Sequence, residues 1–292
     1  MPEVRHEEIG FRASDGYELR TAVWPAAGEP KGRVVVLHGV QSHSGWYHRL
    51  GETLAGAGYS ASFPNRRGSG PHQQDRGHAP SSLRLLDDLA EWMDHLRQSE
   101  PSLPVALAGI SWGGKLAVLT AARRPDLVDA LALICPGLQP RVGVSLVEKL
   151  RIARAVLFNR RKTFPIPLAD PALFTDDPEK QEFIRNDPLS LRRATAGLLF
   201  ASFVIDRRVK RAPGKIRRPS LLMLAGRDRI VDNARTLAYF ERIAAADRRV
   251  IDYPDGCHTL EFDPDPTRYA RDLIDWLDQR FSEKSAVPST TA

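Results

Sequence analysis

Apolar residues in this chain come in short continuous blocks, separated by stretches where they recur every three or four positions. Residues 7–12 and 17–24 read as two strands around the turn residues Ser14-Asp15-Gly16, and so as a hairpin. Arg33-Val34-Val35-Val36-Leu37 is a run of the kind buried on both faces of a parallel sheet. A helix around 48–57 and a strand at 59–63 follow. Leu85, Leu89, Trp92 and Leu96 recur at helical spacing and predict a helix over 83–98 that buries them. Further strands are predicted at 105–108, 130–134, 219–224 and 249–253. Helices are predicted from Lys115 to Arg124 and at 233–246 and 265–281. Apolar strands alternating with helices predict an α/β chain, with a mostly parallel central sheet covered by helices on both faces. Ligands of such sheets bind at the carboxyl ends of the strands.

Between 138 and 218 the alternation stops. Leu146, Leu150, Ala153 and Leu157 form one helical face, and Leu191, Leu198, Leu199, Ser202 and Phe203 form another. Pro165, Pro167, Pro171, Pro178 and Pro188 punctuate the stretch. The expected organisation is a core of 1–137 and 219–282, an inserted helical cap at 138–218 that shelters an apolar pocket, and a small polar tail at 283–292.

Charge sharpens this division. The whole chain carries +6, yet the cap holds 18 Lys and Arg against 8 Asp and Glu, a net of +10. An arginine-rich solvated face explains this most simply. Weak contact with an anionic lipid surface is the functional alternative, ahead of nucleic acid. Cys135 and Cys257 form no CxxC pair, so neither a disulfide framework nor a metal site is expected, and no cofactor. The start of the chain carries acids and no apolar leader, and no run of 18 apolar residues occurs, which points to a cytoplasmic protein.

The informative chemistry sits at Gly109-Ile110-Ser111-Trp112-Gly113, directly after one apolar run and directly before a helix. Strand, sharp turn and helix with a serine at the apex is the context in which G-x-S-x-G carries meaning. Gly109 is expected to allow the tight turn and Gly113 the close packing of the helix. Ser111 is then exposed above the sheet at a helix N-terminus, which favours a developing anion. A neutral serine needs a base, and the base needs a carboxylate. Of eight histidines, His258 stands out, in the loop after the last predicted strand. His38 suits a loop-shaping role. His43 and Trp46 are candidates for the pocket wall. Asp228 ends a buried strand in Ala225-Gly226-Arg227-Asp228, whereas Asp232 reads as a helix N-cap. Backbone N–H groups of Val40 and Trp112 are the candidate oxyanion donors.

The order Ser111, Asp228, His258 is that of the α/β-hydrolase fold. Leu37-His38-Gly39, Arg67-Gly68-Ser69-Gly70, the serine motif and Gly256-Cys257-His258 together resemble serine hydrolases of that fold. His38-Gly39-Val40-Gln41-Ser42-His43-Ser44-Gly45-Trp46-Tyr47 and Asn186-Asp187-Pro188-Leu189-Ser190 resemble the monoacylglycerol lipase and lysophospholipase-like branch, of the serine aminopeptidase S33 type. The branch usually has Gly-Glu where this chain has Gln41-Ser42. It tends to have Asp-x-Arg-Gly-His-Gly where this chain has Asn65-Arg66-Arg67-Gly68-Ser69-Gly70. The resemblance implies hydrolysis of a small or medium acyl ester, with thioester hydrolysis or acyl transfer as alternatives on the same residues. A non-catalytic binding protein on this scaffold is the reading from another class, and it expects a broken triad.

Overall fold

A computed structural model describes residues 6–285. The hairpin is present as β1 (Glu7–Arg12) and β2 (Glu18–Trp24), with Glu7 opposite Val23 and Arg12 opposite Glu18. β2 continues antiparallel onto β4 (Tyr59–Pro64). Every later neighbour is parallel. β3 (Gly32–Leu37) lies between β4 and β5 (Val105–Ile110), and β6 (Ala130–Ile134), β9 (Ser220–Ala225) and β10 (Arg248–Tyr253) follow across the sheet. All residues of β5, β6 and β9 are buried, so helices cover both faces, as their unbroken apolar runs require.

Those helices are α1 (His48–Gly56), α2 (Ser82–Ser99), α3 (Gly113–Arg123), α7 (Asn233–Phe240) and α8 (Arg268–Ser285). α1 packs with α8, and α2 with α3. The Ser81 hydroxyl caps α2 by accepting the Arg84 N–H at 3.0 Å. Leu85, Leu89 and Trp92 are buried as expected. α7 stops at Phe240, short of the predicted 246. The Arg248 guanidinium takes up the Glu241 and Ile243 carbonyls, and the Ala244 N–H turns to Pro213 O at 3.2 Å. Backbone groups that would continue the helix are thereby satisfied elsewhere.

Between β6 and β9 the chain leaves the sheet for α4 (Leu146–Phe158), α5 (Pro178–Asn186), α6 (Ala196–Val209) and a ribbon of β7 (Thr163–Pro165) with β8 (Arg193–Thr195). α6 contacts both α4 and the core helix α3. Leu146, Leu150 and Leu157 share a face of α4, but it is turned outward, and they are 73%, 65% and 78% exposed. α4 buries Ala155 instead, because that small side chain lets it approach Phe164 and Ala196. Phe203 of α6 is likewise exposed, whereas Leu198 is buried. The polar tail expected from 283 begins as the last turn of α8, and 286–292 lie outside the described residues. Among the described residues no helix is long and apolar enough to cross a membrane.

α3 approaches the end of β3 closely. A Cβ on Gly113 would stand 2.3 Å from the Leu37 carbonyl oxygen and 2.7 Å from that of His38. Both are backbone of the sheet edge and cannot swing aside. Gly113→Ala is therefore expected to lower stability by ~3 kcal/mol, read by urea unfolding. A midpoint equal to wild type would show that the two elements have room to part.

Candidate active site

β5 ends at Ile110, and Ser111 takes φ +51° before α3 begins. A left-handed conformation is unfavourable for a residue with a Cβ, and it persists here because its surroundings over-determine it. The Ser111 N–H donates to Ile134 O at 3.0 Å, and its carbonyl accepts from Gly137 at 2.6 Å and Gly114 at 3.0 Å. The strained residue is thus the serine and not Gly109, whose φ is ordinary. Gly109 is needed for proximity, since its Cβ would meet Gly114 Cα at 2.6 Å and Ala117 Cβ at 2.7 Å.

Three loops at the carboxyl ends of β5, β9 and β10 bring the predicted residues together. His258 Nε2 lies 2.9 Å from Ser111 Oγ, and His258 Nδ1 lies 2.7 Å from Asp228 Oδ2. The other Asp228 oxygen accepts the N–H groups of Ile230 and Val231, both at 2.8 Å. A carboxylate can only accept, so Nδ1 carries the proton and Nε2 presents its lone pair to the serine hydroxyl. Asp228 and His258 are buried, which keeps water from competing for these bonds. Asp232 is the N-cap of α7, accepting from Arg235 N at 3.0 Å.

The loop after β3 passes over the serine. A Cβ on Gly39 would be 3.5 Å from Ser111 Cβ and 3.7 Å from Ser111 Oγ. The Gly39 N–H is spent on Ser42 Oγ at 3.0 Å. Among the described residues, neither the Val40 nor the Trp112 N–H has an acceptor. His38 shapes the loop as expected. Its Nδ1 lies 2.7 Å from Gly39 O and its Nε2 accepts the Arg66 N–H at 3.0 Å. Burial first, and the Arg66 charge second, hold its pKa well below the usual value, so it stays neutral.

A cavity of about 250 Å³ opens beside Ser111 under the cap. Val40, Trp112, Ile166, Leu168, Leu198 and Ile230 give it an apolar wall, and Lys115, Ser202 and Asp206 form a polar corner. Lys115 pairs with Asp206 at 2.5 Å, and the Trp112 indole N–H donates to Ser202 Oγ at 2.9 Å. His43 and Trp46 do not line this cavity, against expectation. Both are turned to Asp187 of the cap, His43 Nε2 at 3.0 Å and the Trp46 indole N–H at 2.8 Å. Their polar atoms are thereby used, with the Gly45 N–H donating to His43 Nδ1 at 3.1 Å.

Spacing alone did not single out Asp187 for a polar role. It also accepts from Ser190 Oγ at 2.7 Å and Leu189 N at 2.9 Å, and these donors hold its carboxyl far below the usual carboxylate range. A second cap carboxylate, Asp176, pairs with Arg227 and Arg229 on either side of Asp228. It also accepts from Cys257 Sγ at 3.5 Å, while burial pushes that thiol up. Glu261, three residues after His258, is buried and accepts the N–H groups of Arg49 at 2.8 Å and Leu50 at 3.3 Å, at the start of α1. Tyr269 Oη donates to its other oxygen. The signal for it was slight: a lone acid between apolar residues in Leu260-Glu261-Phe262.

With this geometry in place, residues 28–265 match the family model described as serine aminopeptidase, S33. The chain is similar to a monoacylglycerol lipase of Mycolicibacterium smegmatis, at 25% identity over 95% of this chain and 99% of that one. A human monoglyceride lipase is 27% identical over 91% of this chain and 89% of its own. The crystal structure of a Paleococcus ferrophilus monoacylglycerol lipase superposes with a TM-score of 0.81 at 24% identity, covering 90% of this chain and 100% of that one. These matches span core and cap alike.

Glu261 gives the site a measurable pH dependence. Burial raises its carboxyl from 4.5 to about 7. The folded chain therefore keeps a proton that the unfolded chain releases above pH 4.5. Its stabilising contribution is full below pH 4.5 and is lost as pH rises through 7. Between pH 4.5 and 8 the wild type is expected to lose up to ~3 kcal/mol relative to Glu261→Gln, read from urea unfolding at each pH. Parallel pH profiles for the two proteins would contradict this.

Proposed function

The chain belongs to the serine aminopeptidase S33 family, and we propose that it hydrolyses carboxylic esters of small or medium acyl chains, such as a monoacylglycerol or a lysophospholipid. The observation that carries this is the unbroken hydrogen-bond line from Asp228 through His258 to Ser111, which shares its cavity with Val40 and Trp112, whose N–H groups have no acceptor among the described residues. Ser111 Oγ attacks the ester carbonyl carbon as His258 Nε2 takes its proton. Asp228 keeps the imidazole in the required tautomer and stabilises its cation. The N–H groups of Val40 and Trp112 hold the oxyanion. Collapse of the tetrahedral intermediate breaks the bond to the alcohol oxygen, which receives the proton from His258. Water, deprotonated by the same histidine, then attacks the acyl-enzyme, and the acid leaves as Ser111 recovers its proton. No cofactor takes part in this sequence.

The cavity wall supports an apolar acyl or alkyl group, and its volume suits a chain of modest length. Two relatives with lipase activity in their names support an amphiphilic ester. A peptide N-terminus fits less well. Among the described residues Asp206 is the one carboxylate lining the cavity, and Lys115 already occupies it, which leaves none of them to receive a substrate ammonium. A cytoplasmic location, with Cys135 and Cys257 as free thiols, accompanies this reading.

The outer face of the cap supports a weak seat on anionic lipid. Leu146, Val147, Leu150, Leu157 and Phe158 are exposed on α4, with Phe200 and Phe203 exposed on the neighbouring α6. Lys149, Arg151 and Arg154 are exposed among them. Apolar side chains flanked by cations suit an anionic bilayer surface, where substrate would be drawn from the lipid.

Two outcomes follow. A fluorophosphonate is expected to add once to the wild type and not to Ser111→Ala, by intact mass, with p-nitrophenyl ester turnover lowered at least ~10⁴-fold in the variant. Turnover surviving in Ser111→Ala would overturn the mechanism. Leu150→Asp with Leu157→Asp is expected to weaken sedimentation with phosphatidylglycerol vesicles at least ~10-fold, while hydrolysis of a short water-soluble ester stays unchanged. Equal vesicle binding by both proteins would refute the lipid seat.

A further inference from the structure

Arg66 and Arg67 are adjacent, both buried, and treated in opposite ways. Arg67 has carboxylates for its charge: Asp88 receives Nε and Nη2, each at 2.6 Å, and Asp15 accepts Nη1 at 3.0 Å. Arg66 has no carboxylate partner among the described residues. Its Nη1 donates to Gly39 O at 3.2 Å, its Nη2 to Val40 O at 2.9 Å and to Ser69 Oγ, and its Nε has no acceptor there. The guanidinium lies over the Trp112 ring, 4.8 Å from its centroid. A buried cation met only by neutral acceptors is a poor way to stabilise a fold. Burial without a counter-charge also lowers its pKa to about 9, which leaves it charged at neutral pH.

The acceptors it has chosen are informative. A peptide unit is planar and trans, so the Gly39 C=O and the Val40 N–H are two ends of one rigid plane and point in opposite directions. A donor that grips Gly39 O from behind therefore aims the Val40 N–H the other way. The second nitrogen of the fork holds Val40 O, which fixes the next plane as well. The same side chain braces Trp112, whose N–H is the other candidate donor.

We propose that Arg66 is a positioning residue of the oxyanion hole: its guanidinium fork, with His38 Nδ1 on the same Gly39 carbonyl at 2.7 Å, clamps the Gly39–Val40 peptide from behind, and its positive charge, without a carboxylate partner among the described residues, favours the anion that forms in front. This rests on the ester-hydrolase reading above. Charge and hydrogen-bond geometry are thus supplied to the transition state by a side chain that does not touch the substrate.

The test compares wild type, Arg66→Met and Arg66→Lys. For each, kcat and KM are measured on a p-nitrophenyl ester, together with the inhibition constant of an alkylboronic acid, which forms a tetrahedral anion on the serine. Arg66→Met is expected to lower kcat about 100-fold with KM within threefold, and to weaken boronate binding by a similar factor. Lys keeps the charge but has one nitrogen where two carbonyls are held, so Arg66→Lys should lose about tenfold in both quantities. A KM rise at unchanged kcat, or a loss of kcat with boronate affinity intact, would overturn the proposal. If the Met variant does not fold, the Lys variant decides: values within threefold of wild type overturn it. Fluorophosphonate labelling of the wild type separates the two readings. No adduct and no turnover would end the hydrolase reading itself, whereas an active, labelled wild type beside unaffected Arg66 variants ends only this one.

Discussion

The site depends on one close approach, that of the first turn of α3 to the end of β3. Only a residue without a Cβ fits beneath the Leu37 and His38 carbonyls, and Gly113 is there. That contact sets how far the chain can travel between β5 and α3, and Ser111 must make the turn in a left-handed conformation. It also brings the serine under Gly39, at the start of the loop whose Val40 N–H has no acceptor among the described residues. The proposed nucleophile and the proposed anion site are therefore two aspects of one packing constraint. The bonds that hold Ser111 from Ile134, Gly114 and Gly137 keep the strained turn from relaxing.

The cap is tied to this centre by polar contacts rather than laid on it as a greasy cover. Asp187 receives His43 and Trp46 from the loop that follows β3. The Leu191 N–H donates to Gln41 O in the same loop at 2.8 Å. On the other side Asp176 pairs with the arginines flanking Asp228, and the Thr259 N–H, next to His258, donates to Phe174 O at 3.0 Å. Each of these ties ends within a few residues of Val40, Asp228 or His258. A buried carboxylate with four donors is held strongly and directionally, so the cap reports its position straight to the oxyanion loop. Its apolar residues are divided between the cavity and the outer surface.

What could be read in advance follows from the range of the interactions involved. The elbow, the N-cap at Asp232 and the parallel strands are set by neighbours a few residues apart, and the one-dimensional pattern carries them. Ser111, Asp228 and His258 also come together, because each follows a strand and parallel strands end on one side of the sheet. His43 and Trp46 were misread because their partner lies 144 and 141 residues away in the cap. The α4 stripe was legible as one face, but its outward direction was not, since periodicity fixes a face and not where it points. Arg66 and Arg67 look alike as letters, and only the packing separates a paired cation from an unpaired one.

The chain order of the reacting groups has a consequence for how the protein comes to be made. β5 and the elbow leave the ribosome early, and their pairing partners β3 and β6 lie close in sequence on either side. Asp228 and His258 arrive only with β9 and β10, after the whole of the cap has been synthesised. A nascent or prematurely ended chain can therefore shape the turn around Ser111 while its hydroxyl remains as inert as that of any free serine. On the proposed mechanism, that hydroxyl gains its base only once the last sheet edge is complete.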